Sequence, residues 1–280
     1  MIPVISKSQA YDLDIASVSS GVVLEDTLIR NAATSIYKYC KIHIKSIKSK
    51  KFLFVAGKGN NGKDGIEAHK IFKKNNIFSN LFLMEDLFQD IDKLEIDLED
   101  IIANSNPDFD SYDVIIDGLL GIGLKGELKA DYYNMIEKIN GSKKLTISVD
   151  LPSGIKADTG LDAGTSVIAD HTITMGYPKK GLYFNKGKVS SGSISISDIG
   201  YPEKIKNFTS KIFLIQKQDV IGYIKSISKN ADKFSRGRLG TFVGSKKYPG
   251  AAILSIRSSL EAGAGIVESM IPESIRSIID

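Results

Sequence analysis

The sequence is poor in the residues that mark several common classes of protein. Its 280 residues include one cysteine, no tryptophan and three histidines. A single cysteine, Cys40, excludes an internal disulfide, so we expect a reducing compartment. The histidines, His43, His69 and His171, lack the spacing of a zinc site. We therefore expect these four side chains to serve packing and not chemistry.

Long apolar runs and an excess of one charge are missing as well. No apolar stretch reaches about 18 residues, and no charged-then-apolar leader opens the chain. The 37 basic and 33 acidic residues give a net charge of +4, which is too balanced to indicate a nucleic-acid partner. The sequence therefore predicts a cytoplasmic protein with no membrane or nucleic-acid partner, and its 42% apolar residues support a substantial core.

One glycine-rich stretch near residue 60 organises the rest of the chain. Phe52 to Ala56 is an apolar run typical of a buried strand, Gly57 to Gly65 holds four glycines and predicts a turn, and helical spacing begins at Ile66. Such a strand, turn and helix form an anion site, because the first helical N–H groups are unpaired. The adjacent Asn60 and Asn61 suit left-handed geometry and could bind a cation or a ribose hydroxyl. The same pattern also fits a tight turn whose Asn and Gly residues serve backbone geometry alone.

Apolar runs alternate with amphipathic segments along most of the chain. Strands are predicted at 52–56, 80–84, 113–117, 144–150 and 170–175, with an edge strand at 192–199. Helices are predicted at 7–20, from residue 25 to about 47, from 66, at 85–105 and at 130–140. This alternation predicts an α/β fold with a mostly parallel sheet and helices on both faces.

Polar residues follow several of the predicted strands. Asn60 and Asn61 follow the first, Asp117 ends the third, Asp150 and Ser153 follow the fourth, and Lys179 follows the fifth. Ligands of such sheets bind beyond the carboxyl ends of the strands, so we expect these groups to meet on one rim. Their hard oxygen donors suit an alkali or alkaline-earth ion and not zinc. Lys179 and Asp150 could form an acid–base pair.

Four motifs in this order and spacing resemble one known family. They are Gly59-Asn-Asn-Gly-Lys-Asp-Gly65, Asp117-Gly-Leu-Leu-Gly-Ile-Gly123, Asp150-Leu-Pro-Ser-Gly154 with Ala157-Asp-Thr-Gly160, and Pro178-Lys-Lys-Gly-Leu182. Together they are specific, although no single one is. The chain resembles the YjeF N-terminal domain, the NAD(P)H-hydrate epimerase family, over about residues 5 to 215.

The resemblance implies a fold, an activity and a ligand set. Family members have a Rossmann-like three-layer α/β/α sandwich, bind one potassium ion and interconvert the R and S epimers at C6 of hydrated NADH and NADPH. Carried over by motif, the potassium ligands would be Asn61, Asp117 and Ser153, and the proton transfers would fall to Asp150 and Lys179. The substrate would be held by Asp150 and by two loops, consisting of Asn60, Asn61, Gly62, Lys63, Asp64, Gly121, Ile122, Gly123, Leu124, Lys125, Gly126 and Glu127.

The sequence departs from the family pattern at two places. Lys63 stands where the family usually has glycine, and a lysine there could reach a phosphate or crowd the turn. The family's N-terminal helix usually contains Glu-Asn-Ala-Gly, whereas this chain has Arg30-Asn-Ala-Ala33. That helix often lies near a dimer interface in the family, so a homodimer is the assembly that the resemblance suggests.

The last part of the sequence carries a second resemblance. Phe234 to Ser245, Tyr248 to Ala252 and Leu260 to Val267 resemble the start of the ribokinase-like NAD(P)H-hydrate dehydratase, which is fused after the epimerase in many bacteria. The family's later Gly-Thr-Gly-Asp segment is absent from the sequence. We therefore expect an epimerase domain at 1–215 and an incomplete ribokinase-like segment at 216–280 without dehydratase activity.

Two other functions remain open at this point. A non-catalytic nucleotide-binding or scaffold module of the same fold could tolerate the loss of Asp150 or Lys179, whereas an epimerase could not. A nicotinamide dehydrogenase would need a G-x-G-x-x-G turn, which the stretch from Gly57 does not provide. Only Glu85 and Asp86, after the second strand, favour that alternative.

Overall fold

The chain divides into two compact units, Met1–Ile215 and Gln216–Asp280. The computed structural model describes residues 1–84, 87, 94, 96–102, 107–205, 210–224 and 228–279. Within these residues, no helix is both long and apolar enough to cross a membrane.

The first unit is built on a six-stranded sheet within the described residues. Its strands are β2 (Phe52–Ala56), β3 (Ser79–Leu83), β4 (Val114–Gly118), β5 (Leu145–Val149), β6 (His171–Met175) and β7 (Ser193–Ser197). They lie in the order β3-β2-β4-β5-β6-β7, and every neighbouring pair is parallel. The predicted strands and the edge position of the last one are confirmed. From β2 the chain first adds β3 on one side and then β4 on the other, so the strand order reverses between β2 and β4. A ligand crevice is expected beyond the carboxyl ends of the strands at such a point.

Helices cover both faces of this sheet. They are α1 (Lys7–Ser19), α2 (Glu25–His43), α3 (Asn60–Lys74), α4 (Ala130–Ser142) and the short α5 (Asn185–Ser190). Phe52 and Phe54 of β2 share one core cluster with residues of α2 and α3, whereas Leu53 and Val55 share another with residues of α4. This alternation follows from the two-residue period of a strand. It produces the three-layer Rossmann-like sandwich that the sequence predicts.

A second, two-stranded sheet joins the ends of the first unit. β1 (Ile2–Val4) pairs antiparallel with β8 (Ile212–Leu214). The hydroxyl of Ser210 donates to the carbonyl oxygen of Val4 at 2.7 Å. The sequence analysis missed both strands because three residues are too few to show alternation.

The second unit contains one βαβ arrangement. β9 (Arg238–Phe242) lies parallel to β10 (Ile266–Met270), and α7 (Pro249–Glu261) connects them. The short helices α6 (Lys217–Ile221) and α8 (Arg276–Ile279) lie on either side in sequence. Two parallel strands and their connecting helix leave most apolar residues of the unit at least partly exposed, among them Phe242 and Met270.

The end of α2 differs from the prediction, and one further predicted helix is largely untested. α2 ends at His43 and not near residue 47, because a short 3-10 turn, Ile47–Ser49, follows it. The helix predicted at 85–105 falls largely outside the described residues, which include a 3-10 turn at Leu98–Asp100 in this range.

Cys40, His69 and His171 are buried, whereas His43 is exposed. Burial raises the pKa of the Cys40 thiol to about 12, so this cysteine behaves as an apolar core residue. The His171 ring stacks on the Tyr39 ring at 3.9 Å between centroids, and Tyr39 stacks on exposed His43. Among the described residues, the buried His171 Nε2 has no hydrogen-bond partner. Burial, and then the nearby charge of His43, lower the pKa of His171 to about 4.

We expect the stability of the protein to fall as the pH drops from about 6.5 to about 4, with His171 as one cause. Above the ordinary pKa the ring is neutral in both states, and below it only the unfolded chain gains a proton. The contribution should be about 1–2 kcal/mol, allowing for solvent at the ring edge. Urea unfolding at several pH values measures it. His171→Phe should flatten this part of the profile, whereas His43→Phe should flatten it less, because it removes only the smaller of the two causes. Equal profiles for all three proteins would contradict the assignment.

Candidate active site

The turn after β2 is shorter than the sequence suggested. It spans Gly57 to Gly59, and α3 begins at Asn60, so the prediction of a turn that lasts to Gly65 is wrong. Asn60 and Asn61 are helical and not left-handed. No side chain caps this helix start, and its first residue, Asn60, lines the cavity described below.

Glycines allow the loops after β2 and β4 to pass close to each other. A side-chain carbon at Gly57 would overlap the Leu119 carbonyl oxygen, and one at Gly62 would overlap the Gly57 carbonyl oxygen. A carbon at Gly121 would lie 2.7 Å from the Asn61 Oδ1. The two loops therefore touch through backbone, which also explains why glycine occurs inside the first turn of α3.

The carboxylate of Asp117 is buried at the end of β4 beneath these loops. Its Oδ1 accepts from the Ser153 hydroxyl at 2.5 Å and the Leu119 N–H at 3.2 Å. Its Oδ2 accepts from the Ser148 hydroxyl at 2.7 Å and the Ser153 N–H at 3.0 Å. Burial raises the pKa of Asp117, and these four hydrogen bonds oppose that rise. Asp117 thus fixes the loop that carries Ser153.

Further oxygen atoms converge beside this carboxylate. The Asn61 Nδ2 donates to the carbonyl oxygens of Leu120 at 3.0 Å and Val149 at 2.6 Å. The Ser153 hydroxyl accepts from the Leu120 N–H at 2.8 Å. The structure thus brings the predicted set of Asn61, Asp117 and Ser153 together. Among the described residues, no group of three or more His, Cys, Asp or Glu side chains is placed to hold a metal ion.

Asp150 adopts an unusual backbone conformation directly after β5. Its φ of 64° is left-handed, which costs a residue other than glycine of order 1 kcal/mol. Its Oδ1 accepts from the Lys179 Nζ at 2.5 Å, the Met175 N–H at 3.0 Å and the Thr174 hydroxyl at 3.2 Å. No described residue donates to Oδ2. The strained backbone therefore turns one carboxylate oxygen onto three donors and leaves the other available.

Lys179 is held from several directions. Its side chain is 4% exposed, and its Nζ also donates to the Met175 carbonyl oxygen at 2.7 Å. The backbone on both sides of Lys179 bonds to Ile5: the Ile5 N–H donates to Pro178 at 2.9 Å, and the Lys180 N–H donates to Ile5 at 3.1 Å. The ammonium group is thus a fixed charge and not a mobile surface lysine.

These groups border one cavity of about 900 Å³, a volume suited to a small-molecule ligand. Eleven of the residues singled out from the sequence line it, namely Asn60, Asn61, Asp64, Gly121, Ile122, Gly123, Leu124, Lys125, Glu127, Asp150 and Lys179. Five others do not, namely Gly62, Lys63, Asp117, Gly126 and Ser153. Asp117 and Ser153 lie buried behind the wall, where they support the loops.

Sequence reasoning missed one side of the cavity. α1 contributes Tyr11, Asp14, Ile15 and Val18, and Tyr201 follows the edge strand β7. An acid on a largely exposed helix such as α1 gives no signal that separates it from a solvated surface residue. The expectation that site residues directly follow a strand also fails for Tyr201, because three residues separate it from the end of β7.

Carboxylates crowd the cavity. Asp64 is buried, and desolvation first, then the charges of Asp150 and Asp14, hold its pKa well above the ordinary value. Desolvation also raises the pKa of Asp14. Perturbed acids of this kind in a cleft are typical of sites where protons are moved.

Lys63 neither crowds the turn nor lines the cavity. It lies in α3, and its Nζ pairs with the Glu25 Oε1 of α2 at 2.9 Å. Both side chains are about half exposed, so this pair adds little stability. Since Glu25 lines the cavity, the pair lies at its border.

Comparison with known proteins identifies relatives of the chain. Residues 25–181 match the family described as YjeF-related protein N-terminus. A bifunctional NAD(P)H-hydrate repair enzyme from Dictyoglomus turgidum is 32% identical over 90% of this chain and 51% of its own length. An NAD(P)H-hydrate epimerase from Oenococcus oeni is 30% identical over 71% of this chain and 97% of its own length. The chain thus spans about half the length of the bifunctional relatives.

One solved structure has a similar fold. The crystal structure of yeast ynu0 superposes with a TM-score of 0.59 over 77% of this chain and 98% of its own. At 16% sequence identity, this likeness supports the fold alone.

We expect Gly62→Ala to lower the free energy of unfolding by about 1–3 kcal/mol, because the added carbon must displace the Gly57 carbonyl oxygen. Gly65→Ala is the matched control in the same helix, where an added carbon meets nothing within 4 Å. It should be neutral or stabilise by about 0.5–1 kcal/mol. Urea denaturation measures both, and equal effects would show that the close approach of the loops is not a constraint.

Proposed function

This chain belongs to the family of YjeF-related protein N-termini, and from that premise we propose that it interconverts the R and S epimers of hydrated NADH and NADPH. The relatives named NAD(P)H-hydrate epimerase support the substrate and the reaction. The observation that carries the proposal is the buried Asp150–Lys179 pair at the border of a cavity large enough for a ligand. A site of this kind needs a fixed proton acceptor beside the reacting carbon.

The reaction requires a bond at C6 to break and form again on the other face. Hydration of a dihydronicotinamide places a hydroxyl group on C6, next to the ring nitrogen N1. When a proton is given to this hydroxyl, water leaves and the N1 electron pair forms a C6=N1 bond. Water then adds to the opposite face of C6 and loses a proton, and the electron pair returns to N1. One group must donate a proton and another must accept one.

We assign the acceptor role to Asp150. Its Oδ2 has no donor among the described residues, whereas Oδ1 is held by Lys179 and two further groups. The Lys179 ammonium balances the charge of the carboxylate and fixes its orientation, since it also bonds to Met175. A carboxylate held in this way can take a proton from water without moving.

The start of α3 and the glycine-rich loop after β4 would hold the dinucleotide. Asn60 to Asp64 form the first turn of α3, and N–H groups at a helix start that no side chain caps suit a phosphate. Gly121 to Glu127 form the opposite loop, and all but Gly126 line the cavity. Lys63 would reach a phosphate only after leaving Glu25, because the two are paired at 2.9 Å.

We propose that the cofactor is a potassium ion held by Asn61, Asp117 and Ser153. The residues supply the oxygen types that such an ion prefers, because the Ser153 hydroxyl lies within hydrogen-bond distance of the Asp117 carboxylate and the Leu120 carbonyl oxygen. The Asn61 side-chain amide lies beside them, with its Nδ2 bonded to the Leu120 and Val149 carbonyl oxygens. When bound, the ion would supply positive charge beneath the loops that meet the substrate.

The proposed function also concerns how the chain divides into domains. We assign epimerisation to residues 1–215 and the resemblance to a partial dehydratase to 216–280, for which we propose no dehydratase activity. A boundary after Ile215 agrees with the two compact units. The cytoplasmic location and the homodimer stay predictions.

We expect the protein to allow full recovery of NADH from a mixture of R and S hydrated NADH. The mixture is incubated with a dehydratase specific for the S epimer and ATP, and the absorbance of NADH is followed. Without the protein, recovery should stop at the S fraction. Recovery limited to the S fraction in its presence would instead favour the non-catalytic binding module.

Asp150→Asn should lower the epimerisation rate about 10²- to 10⁴-fold, because an amide cannot accept the proton. Asn has the same shape, and its carbonyl oxygen can still face Lys179, so the fold should persist. Asp131→Asn, at an exposed position of α4, is the control. A rate within twofold of the unmodified protein would assign Asp150 to loop structure.

We expect potassium to raise the melting temperature relative to choline at equal ionic strength. The free energy of unfolding should rise by about 2.7 kcal/mol when the potassium concentration is about 100 times its dissociation constant. Asn61→Ala should abolish the difference, while Asn60→Ala should retain it, because only Asn61 contacts the convergent carbonyl oxygens. Equal melting temperatures in the two salts would rule out the potassium site.

A further inference from the structure

Two residues of the cavity have no role in the reaction as described so far. The Tyr201 hydroxyl donates to the Asp14 Oδ1 at 2.6 Å, and both residues line the cavity. No described residue donates to the Asp14 Oδ2. Asp14 is partly buried, and Tyr201 is buried except for 7% of its surface. A short hydrogen bond that leaves one carboxyl oxygen available is the same arrangement that Lys179 creates at Asp150.

The surroundings of Tyr201 fix the direction of its hydroxyl. Its ring lies parallel to that of Tyr177, with 6.4 Å between centroids and 7° between planes. Gly176 has a φ of 69°, and a side-chain carbon there would overlap the Tyr201 ring. The Asn31 amide fixes the backbone just before Tyr201, because its Nδ2 donates to the Ile199 carbonyl oxygen at 2.8 Å. The chain thus clears a place for this ring and orients it on Asp14.

The charges around Asp14 come from every wall of the cavity. Desolvation raises its pKa most, the Tyr201 hydrogen bond and the Lys179 charge lower it, and the charges of Asp150 and Glu25 raise it again. The groups that face it are Tyr11 on α1, Glu25 on α2, Asp64 on α3, Asp150 after β5, Lys179 after β6, and Tyr201. Desolvation and the like charges raise the pKa of Asp14 by more than the Tyr201 hydrogen bond and the Lys179 ammonium group lower it. Asp14 therefore retains its proton to a higher pH than an ordinary aspartate.

We propose that Asp14 is a second acid–base residue that contacts the substrate and that Tyr201 is the residue that positions it. This inference rests on the proposed epimerisation. Two carboxyl groups with unlike partners, one paired with an ammonium and one with a phenol, can divide the proton donor and acceptor roles between them. Asp64 lacks such a partner, since no hydrogen bond holds it in a fixed direction among the described residues.

The proton transfers then balance. Protonated Asp14 gives the proton on Oδ2 to the C6 hydroxyl, the C6–O bond breaks with its electron pair going to oxygen, and the N1 pair forms C6=N1. Asp14 is now a carboxylate and water has been released. A water molecule adds to the opposite face of C6, and Asp150 takes its proton while the C6=N1 pair returns to N1. Transfer of that proton from Asp150 to Asp14 through water restores the starting state, and the reverse reaction exchanges the two roles.

The test compares Asp14→Asn and Tyr201→Phe with the unmodified full chain in the coupled assay, measuring kcat, KM and their dependence on pH. Asp14→Asn should lower kcat about 10²- to 10³-fold with KM within about threefold, because a transition-state proton transfer is lost. Asp12→Asn, an exposed acid on the same helix, should leave kcat unchanged. Melting curves identify any variant that fails to fold.

Tyr201→Phe gives a second, independent readout. The rate should fall at high pH as Asp14 loses its proton, and removal of the Tyr201 hydroxyl raises the pKa of Asp14 because a donor to the carboxylate is lost. The alkaline limb of the kcat profile should therefore move to higher pH, with kcat reduced about tenfold at its optimum. If Asp14→Asn does not fold, the Tyr201→Phe variant alone tests whether Asp14 is an acid–base residue.

The outcomes separate this inference from the function on which it rests. If the unmodified protein recovers only the S fraction, the proposed function fails, and this inference fails with it. If the unmodified protein is active and kcat of both variants lies within twofold of it, only the assignment of Asp14 and Tyr201 is overturned. A rise in KM alone, with an unmoved alkaline limb, would overturn it as well by showing a role in binding or structure.

Discussion

The backbones that leave β2 and β4 run so close together that neither has room for side chains where they meet. Gly57, Gly62, Gly118 and Gly121 each lie at a position where an added carbon would press on the opposite loop or on the preceding turn. This contact brings Asn61 against the Leu120 and Val149 carbonyl oxygens and places Ser153 on Asp117. The oxygen cluster and the shape of the cavity therefore depend on a steric constraint within the backbone, to which the polar side chains are fitted.

Much of the sheet and of its polar rim could be predicted from the sequence, and the reason is physical. Strands buried on both faces require continuous apolar runs, and parallel strands place their carboxyl ends on one edge, so Asp117, Asp150 and Lys179 could be assigned to one rim. The start of α3 could not be predicted, because Gly62 and Gly65 normally disfavour a helix. Here close packing requires glycine at position 62, and tertiary contact overrides the local preference.

The side of the cavity that contains Asp14 and Tyr201 could not be predicted from the sequence, for a different reason. Asp14 lies on a helix with exposed apolar neighbours, such as Ile15, and nothing in its spacing indicates a cavity. Two residues that define its environment lie more than 100 positions away in sequence, with Tyr201 bonded to it and Lys179 acting on its charge. Local patterns carry no information about such long-range pairs. The signal that does exist is indirect, namely a glycine at position 176 with positive φ next to an aromatic ring.

Residues 2–7 have a structural effect larger than their number suggests. β1 pairs with β8, and the following Ile5 bonds to the backbone on both sides of Lys179. Ser6 then caps α1 through a reciprocal pair of hydrogen bonds with Gln9, and the Lys7 N–H donates to Asp158 at 2.7 Å. One short extended segment therefore sets the position of Lys179 and of the helix that carries Asp14. Backbone hydrogen bonds of this segment therefore position the ammonium group that holds Asp150 and the helix that carries Asp14, so the two carboxyl groups are held on a rigid framework.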